Sequence, residues 1–449
     1  MSTDAPPRLP PRARTGLPIL LLIVVSAAAA VAAVRGSPDR EAGPAAVASG
    51  IGGSAPGPVA EVAAAWNERA WEIAYAEDQF LTFRGQRALA LMNLAMHDAL
   101  NTISPVYERY AYDGEPRPDA DPSQAAAHAA HEILRSIYPG AAARLDSALA
   151  GSAGGAGAGA AAALGRAAAA TILDARAGDG WDAAGSYAFD TGPGRYRTTP
   201  DWNGFVLQPG FRTARPFALS SPSAFRPAPP PALESVDYAR AYDEVRSQGA
   251  AASAVRTADQ TGYAIWWMEF AEGSVNRLAR RLVQERDLGL WPAVRLFAHM
   301  HMALYDAYIA TWDSKYEYDH WRPYTAIRFA GGGNGATSRD PEWQSLRPAP
   351  PFPEYVSAHA AGCAAAFTVL ASALGDDTPF SMTTITAPPG MPERSFRSFH
   401  AAAGECADSR VQLGWHFRYS TDAGLALGER VAAHVLATQL RALQRARGE

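Results

Sequence analysis

RGQRALALMNLAMHDALNTI, running from Arg84 to Ile103, settles the class of fold. Leu89, Leu91, Leu94, Met96 and Leu100 recur in it with a period near three and a half, which is helical spacing rather than strand alternation. Its surroundings agree. Alanine is abundant and strand-like runs of Val, Ile and Thr are few, so the chain is read as all-α. Helical spacing begins near Val59, and further helices are predicted at 126–138, 142–150 and 161–176, the last ended by Gly178-Asp179-Gly180. Others follow at 235–249, 256–286, 291–314, 357–375, 394–416 and 421–446.

Between these groups, residues 181–234 are rich in Pro, Gly and aromatic residues and show no period, so they form a long irregular connection. The expected organisation is a leader at 1–35, a Gly/Pro/Ala/Ser linker at 36–58, an N-terminal helical half at 59–234 and a C-terminal half at 235–449. The leader carries Arg8, Arg12 and Arg14 ahead of an apolar run from Leu17 to Val34, with alanines at 27–30 and 32–33. That order reads as a signal peptide or a membrane anchor, and either puts the body outside the cytoplasm. The 449 residues, 48% hydrophobic, suffice for a large core, and a net charge of −5 argues against nucleic acid as a partner. Two cysteines without Cys-x-x-Cys spacing exclude a disulfide-rich scaffold and a zinc ribbon.

Chemistry concentrates in the last third. Lys315 is followed by Arg322-Pro323, then by Ser357-Ala358-His359, then by Ser409-Arg410 and His416. Three cations, a hydroxyl and two imidazoles suit a tetrahedral oxyanion, held through charge-assisted hydrogen bonds and attacked or protonated by histidine. Lys315 and Arg322 are expected on a loop, because Pro323 interrupts a helix. Ser357 is a candidate N-cap of an alanine-rich helix whose first turn offers N–H groups to an anion. The spacing of Arg410 and His416 fits no single helix face, so a local bend is implied.

These elements resemble those of the vanadium-dependent haloperoxidases, which share their anion pocket with type 2 phosphatidic acid phosphatases and class A acid phosphatases. The family pattern is Lys-x6-Arg-Pro, Pro-Ser-Gly-His and Ser-Arg-x5-His-x3-Asp. The first element matches from Lys315 to Pro323, the second survives as Val356-Ser357-Ala358-His359, and the third matches until Ser420, which stands where Asp is expected. The likeness also takes in Asn93–Ala99 and Pro229–Leu233, covers roughly residues 60–440, and is strongest to secreted bacterial members.

The resemblance implies two helical bundles around one site, with vanadate as cofactor and phosphate able to take its place. Lys315, Arg322 and Arg410 would neutralise the oxyanion, Ser357 and the Ala358 N–H would add hydrogen bonds, His416 would supply the metal-binding nitrogen, and His359 would handle the proton of hydrogen peroxide. Trp312 and Phe352 would border the halide. Hydrogen peroxide and halide or a small organic substrate are the implied partners. The departures bear on this: the Ala358 methyl could restrict φ, and Ser420 lacks a carboxylate for His416, with Asp422 a substitute if the chain bends. A phosphatase acting through phosphohistidine and a non-catalytic helical protein with a decayed pocket are the competing readings.

Elsewhere, His97-Asp98 reads as structural, His299 and His301 fall on different helix faces, and His128, His131 and Glu132 read as a solvated face. His320 is expected to be exposed. Cys363 and Cys406 fall one turn from His359 and Arg410, so a shared anion would bring the thiols close enough to bond.

Overall fold

The structure is a computed structural model that describes residues 60–79, 83–151, 157–329 and 333–444, so the leader and the linker lie outside the described residues. Within these bounds the chain folds into helices α1 (Glu61–Asp78), α2 (Arg84–Ile103), α3 (Pro122–Ile137), α4 (Ala142–Ala150), α5 (Ala158–Ala175), α6 (Val236–Gln248) and α7 (Ala258–Trp266). They continue with α8 (Ala271–Glu285), α9 (Leu290–Tyr318), α10 (Pro323–Phe329), α11 (Ala358–Leu374), α12 (Phe399–Gln412) and α13 (Arg418–Thr438). Between α11 and α12 the strands β1 (Phe380–Thr383) and β2 (Glu393–Phe396) pair antiparallel, Phe380 facing Phe396. None of the described helices is long and apolar enough to cross a membrane.

α2 and α9 form the axis of the molecule. Both are buried nearly all round, as small and apolar residues on every face require of a central helix. α2 packs on α3, which packs on α5, while α9 packs on α11 and α13, and α2 packs on α9. One apolar core runs through both groups. Each axial helix also ties down irregular chain with a buried carboxylate. Asp98 accepts the N–H groups of Tyr110, Ala111 and Tyr112 at 2.6, 2.8 and 2.8 Å. Asp306 accepts those of Phe217, Ala218 and Leu219 at 2.6, 2.8 and 3.1 Å. His97 bonds to the Glu108 carbonyl instead, so the adjacent His97 and Asp98 are structural but not a pair.

Three helix predictions are corrected. The expected helix at 256–286 is two, broken at Trp267–Phe270, where Glu269 N–H turns aside to the Thr386 hydroxyl at 3.2 Å. The helix expected at 394–416 begins as β2 and ends at Gln412. Lys315 is not on a loop: α9 continues to Tyr318 and stops at Asp319, whose left-handed φ of 51° closes the helix. The segment between α5 and α6 is irregular as expected, with only short 3-10 turns at Pro200–Trp202 and Pro209–Thr213. It straps the C-terminal chain at several points: Tyr196 N–H donates to Asp319 O at 2.9 Å, Trp321 N–H to Gly194 O at 2.9 Å, and Leu207 N–H to Pro351 O at 2.9 Å.

The α11–α13 contact sets the geometry of everything that follows. Gly424 and Gly428, one turn apart on α13, lie directly on the backbone of α11. A Cβ at Gly424 would stand 2.6 Å from the Ser357 carbonyl oxygen, and one at Gly428 would stand 2.8 Å from Ala364 Cβ. Glycine is used here for its missing side chain, since it lets two helices approach closely. On the other flank of α11, Cys363 and Cys406 form a disulfide to α12, as the shared-anion argument anticipated.

Candidate active site

Every predicted oxyanion residue lies at a helix end or in the connection beside one, and the packing above turns those ends toward one buried place. Lys315 is in the last turn of α9 and Arg322 immediately precedes α10. Ser357 caps α11 and accepts from Ala360 N–H at 3.4 Å, with His359 in the first turn. Ala358 opens the helix with ordinary helical φ, so alanine brings no backbone strain there. The N–H groups of Ala358 and His359 occupy first-turn positions that lack helical acceptors.

Arg410 and His416 are brought together by a reversal at the end of α12. Gly414, at φ 78°, donates to Val411 O at 2.9 Å, and Trp415 N–H donates to Arg410 O at 3.1 Å. This is the Schellman arrangement, and glycine provides its left-handed residue. Here is the bend that the spacing required. It returns His416 to the cavity that Arg410 faces, with the Arg410 guanidinium 5.1 Å from the centre of the Trp415 ring.

Within the cavity the contacts are close. Arg322 Nη1 lies 3.1 Å from His416 Nε2 and donates to Trp415 O at 2.9 Å, while its Nε donates to Phe352 O at 3.0 Å. Arg410 Nη2 donates to Trp267 O at 2.7 Å, and His359 Nε2 donates to Glu269 O at 3.1 Å. Two guanidinium nitrogens, Arg322 Nη2 and Arg410 Nη1, are buried with no partner. Two such guanidinium donors fit the oxygens of an oxyanion, which accept charge-assisted hydrogen bonds. Lys315 differs: its ammonium donates to the carbonyls of Pro353, Glu354 and Val356 at 3.0, 2.9 and 2.6 Å. All three of its protons are engaged, so it fixes the loop ahead of Ser357 while lending the cavity its charge.

Burial dominates the electrostatics. It pushes Arg322 and Arg410 down to about 10 and about 9, so both remain charged at neutral pH. Burial, then the charge of Arg322, lowers Lys315 well below its usual value. His416 falls well below the ordinary imidazole range through burial and then through Arg322, Lys315 and Arg410. His359 falls likewise, through burial and then Arg410. Both imidazoles are therefore neutral in a positively charged cavity, ready to accept a proton or a bond once an anion offsets the cations.

Trp312 and Phe352 sit beside this cavity. Their ring centres are 4.9 Å apart, and Lys315 Nζ and the Arg322 guanidinium lie 5.0 and 4.9 Å from the Phe352 centre. Trp312 packs edge-on against Phe83 from the start of α2, at 4.7 Å. The sequence reading missed the α7–α8 break, which supplies the carbonyls of Trp267 and Glu269 and the half-exposed Phe270, whose ring stands 5.3 Å from that of His359. It also missed Glu354. Ser420 does not replace the expected carboxylate, and Asp422 is exposed on α13; His416 Nδ1 instead lies 2.9 Å from Glu354 Oε1. The Ser420 hydroxyl stands alongside, 3.4 Å from the same nitrogen.

The remaining histidines fall outside the site. His320 is corrected from exposed to buried, because α13 covers it and Tyr419 hydrogen-bonds its Nε2 at 2.6 Å. His131 pairs with Asp146 at 2.7 Å, and no group of three potential metal ligands occurs among the described residues.

The chain is similar to several known proteins. The VCPO second helical-bundle domain matches residues 295–445. Vanadium chloroperoxidase of Curvularia inaequalis is 28% identical to the chain, over 63% of this chain and 60% of that protein. The chain thus spans about 60% of the length of this relative. Among solved structures, the first bacterial vanadium-dependent iodoperoxidase is similar with a TM-score of 0.75 and 24% identity, covering 88% of this chain and 100% of that one. An apo-type bacterial vanadium-dependent chloroperoxidase is similar with a TM-score of 0.65 and 20% identity, covering 80% and 92%. These structural likenesses extend over both helical groups and concern the fold.

Proposed function

From the premise that this chain belongs to the vanadium-dependent haloperoxidase family, we propose that it oxidises halide with hydrogen peroxide at a vanadate held by His416. The observation that carries the proposal is the pair of partnerless buried guanidinium nitrogens, Arg322 Nη2 and Arg410 Nη1, around the lone pair of His416 Nε2. A planar guanidinium presents forked donors that match the edges of a tetrahedral oxyanion. Bound vanadate supplies an electrophilic centre that polarises peroxide without changing oxidation level.

The residues of the chain do the rest. Arg322, Arg410 and Lys315 offset the oxyanion charge, and the Ser357 hydroxyl with the first-turn N–H of Ala358 adds hydrogen bonds. His416 offers Nε2 as a ligand. His359, neutral and at the partly exposed side of the cavity, accepts a proton from incoming hydrogen peroxide and returns it to the leaving oxygen. The net reaction joins halide, peroxide and one proton to give hypohalous acid and water. Trp312 and Phe352 border the halide, whose low hydration suits an aromatic wall beside two cations. The Cys363–Cys406 disulfide and the arginine-flanked apolar run at Leu17–Val34 support export of the body from the cytoplasm.

The test is an assay of dialysed protein for iodide and bromide oxidation with peroxide, with and without added orthovanadate, beside p-nitrophenyl phosphate cleavage. Vanadate-dependent halide oxidation that inorganic phosphate suppresses and His416→Ala abolishes is the expected result. Phosphate ester cleavage without halide oxidation would assign the same residues to a phosphatase. Neither activity would leave a helical protein that binds an anion without chemistry.

A further inference from the structure

Glu354 is fully buried in the field of Arg322 and Lys315, and its carboxylate makes its ion-pair contact with neither of them. Among the described residues its ion-pair contact is His416, and Oε1 also accepts the Phe417 N–H at 3.0 Å. Its backbone is pinned on both sides: the N–H donates to His320 O at 2.8 Å, and the carbonyl accepts from Lys315 Nζ at 2.9 Å. The carboxylate is thus placed by main chain and lysine, independently of the imidazole it meets.

The two sides of the His416 ring select one tautomer. Arg322 Nη1, 3.1 Å from Nε2, can only donate, so that contact is a hydrogen bond only when Nε2 carries no proton. The ring proton of neutral His416 then sits on Nδ1, where Glu354 Oε1 accepts it at 2.9 Å. The lone pair that remains faces Arg322 and the cavity. The hydroxyl of Ser420, itself buried, lies beside the same nitrogen, and the Ser420 carbonyl accepts the Ser357 N–H at 3.1 Å. Position 420 is therefore near enough to Nδ1 for a carboxylate of its own.

We infer that Glu354 is the positioning residue of His416: it holds the ring proton on Nδ1 and so presents Nε2 as an oxyanion ligand, from a different chain segment than Ser420. This rests on the reading of His416 as the nitrogen that binds the anion. A carboxylate behind a ligating imidazole fixes its tautomer and raises its basicity, and removal of such a partner characteristically costs about 10–100-fold in affinity.

The inference is tested with Glu354→Gln, Glu354→Ala and Glu354→Ala combined with Ser420→Asp, all checked for native circular dichroism. Binding of orthovanadate and of inorganic phosphate is measured by equilibrium dialysis, and the tautomer of His416 by NMR of protein labelled with 15N-histidine. Wild-type protein should show the Nδ1–H form. Glu354→Gln and Glu354→Ala should weaken vanadate about 10–100-fold and blur the tautomer, and Ser420→Asp in the alanine background should recover most of the affinity and the Nδ1–H signature. A structural role alone predicts no such rescue by a carboxylate on another segment. Unchanged affinity in folded Glu354→Gln and Glu354→Ala, or failure of Ser420→Asp to restore a folded Glu354→Ala, would overturn it. Binding and tautomer are read without turnover. Loss of halide oxidation from wild type with these responses intact would therefore refute the proposed activity and leave the positioning role standing, whereas wild-type anion binding by His416→Ala would remove both.

Discussion

Gly424→Ala probes a close helix approach that bears on the site. The added methyl would meet the Ser357 carbonyl oxygen at 2.6 Å, Ala360 Cβ at 3.1 Å and the Ala361 nitrogen at 3.5 Å, two of them backbone atoms that cannot rotate away. Restoring ordinary contact separations of about 3.5 Å requires α11 and α13 to part by up to ~0.9 Å. Overpacking of that order costs about 1–3 kcal/mol, from which the better helix propensity of alanine returns about 1 kcal/mol, for a net loss of about 0–2 kcal/mol. Gly404→Ala is the matched control: it lies inside α12 with nothing within 4 Å of the new methyl, so it should stabilise by about 1 kcal/mol. Urea unfolding of both variants should separate them by about 1–3 kcal/mol. Phosphate affinity should fall severalfold in Gly424→Ala alone, because Ser357 moves with the displaced helix. Equal stabilisation of the two variants would refute the close-packing argument.

Three further outcomes are expected. Asp306→Ala strands three buried N–H groups, at Phe217, Ala218 and Leu219, and at about 1–3 kcal/mol each should destabilise the fold by at least ~3 kcal/mol in urea unfolding; a loss below ~1 kcal/mol would show that water replaces the carboxylate. Cys363→Ala with Cys406→Ala opens a loop of 43 residues, which on chain-entropy grounds costs about 4 kcal/mol, and denatured wild type should yield no alkylated thiol before reduction. Acid should destabilise the fold. Burial holds His97, His301 and His320 at about 3 and His299 at about 4, below their unfolded value, so their contribution is present near neutrality and lost as pH falls through 6.5 toward those values. Burial raises Asp98 and Asp306 to about 6 and Glu272 to about 7, and these act oppositely, favouring the fold below those values. Glu354, raised to about 7, joins the acids, and His359 and His416, held well below the imidazole range, join the histidines, so six histidines stand against four acids. Protons are taken up on unfolding below pH 6.5, and a Tm that held steady or rose between pH 6 and 5 would contradict the balance.

Much of this was legible because the signals are local. Helical spacing in Arg84–Ile103 is set by the residues themselves, and Ser357 behaves as a cap because its hydroxyl reaches the third N–H ahead. Gly414 was available as a stop signal two residues past the helix end at Gln412, but the apolar Val411, Leu413 and Trp415 around it concealed the boundary. What stayed hidden is tertiary. No glycine or proline marks the break at Trp267–Phe270; it exists because Arg410, His359 and Thr386 take up its backbone groups. Glu354, in a proline-rich stretch, carries no sequence signal of its own. Its meaning comes from Lys315, far earlier in the chain, which grips the carbonyls on either side of it.

The irregular connection between α5 and α6 clasps the chain on both sides of Arg322, at Gly194 and Tyr196 on one side and at Leu207 on the other. Main-chain clasps do not depend on which side chains surround them, so the sequence between them can vary while the Arg322 segment keeps its place.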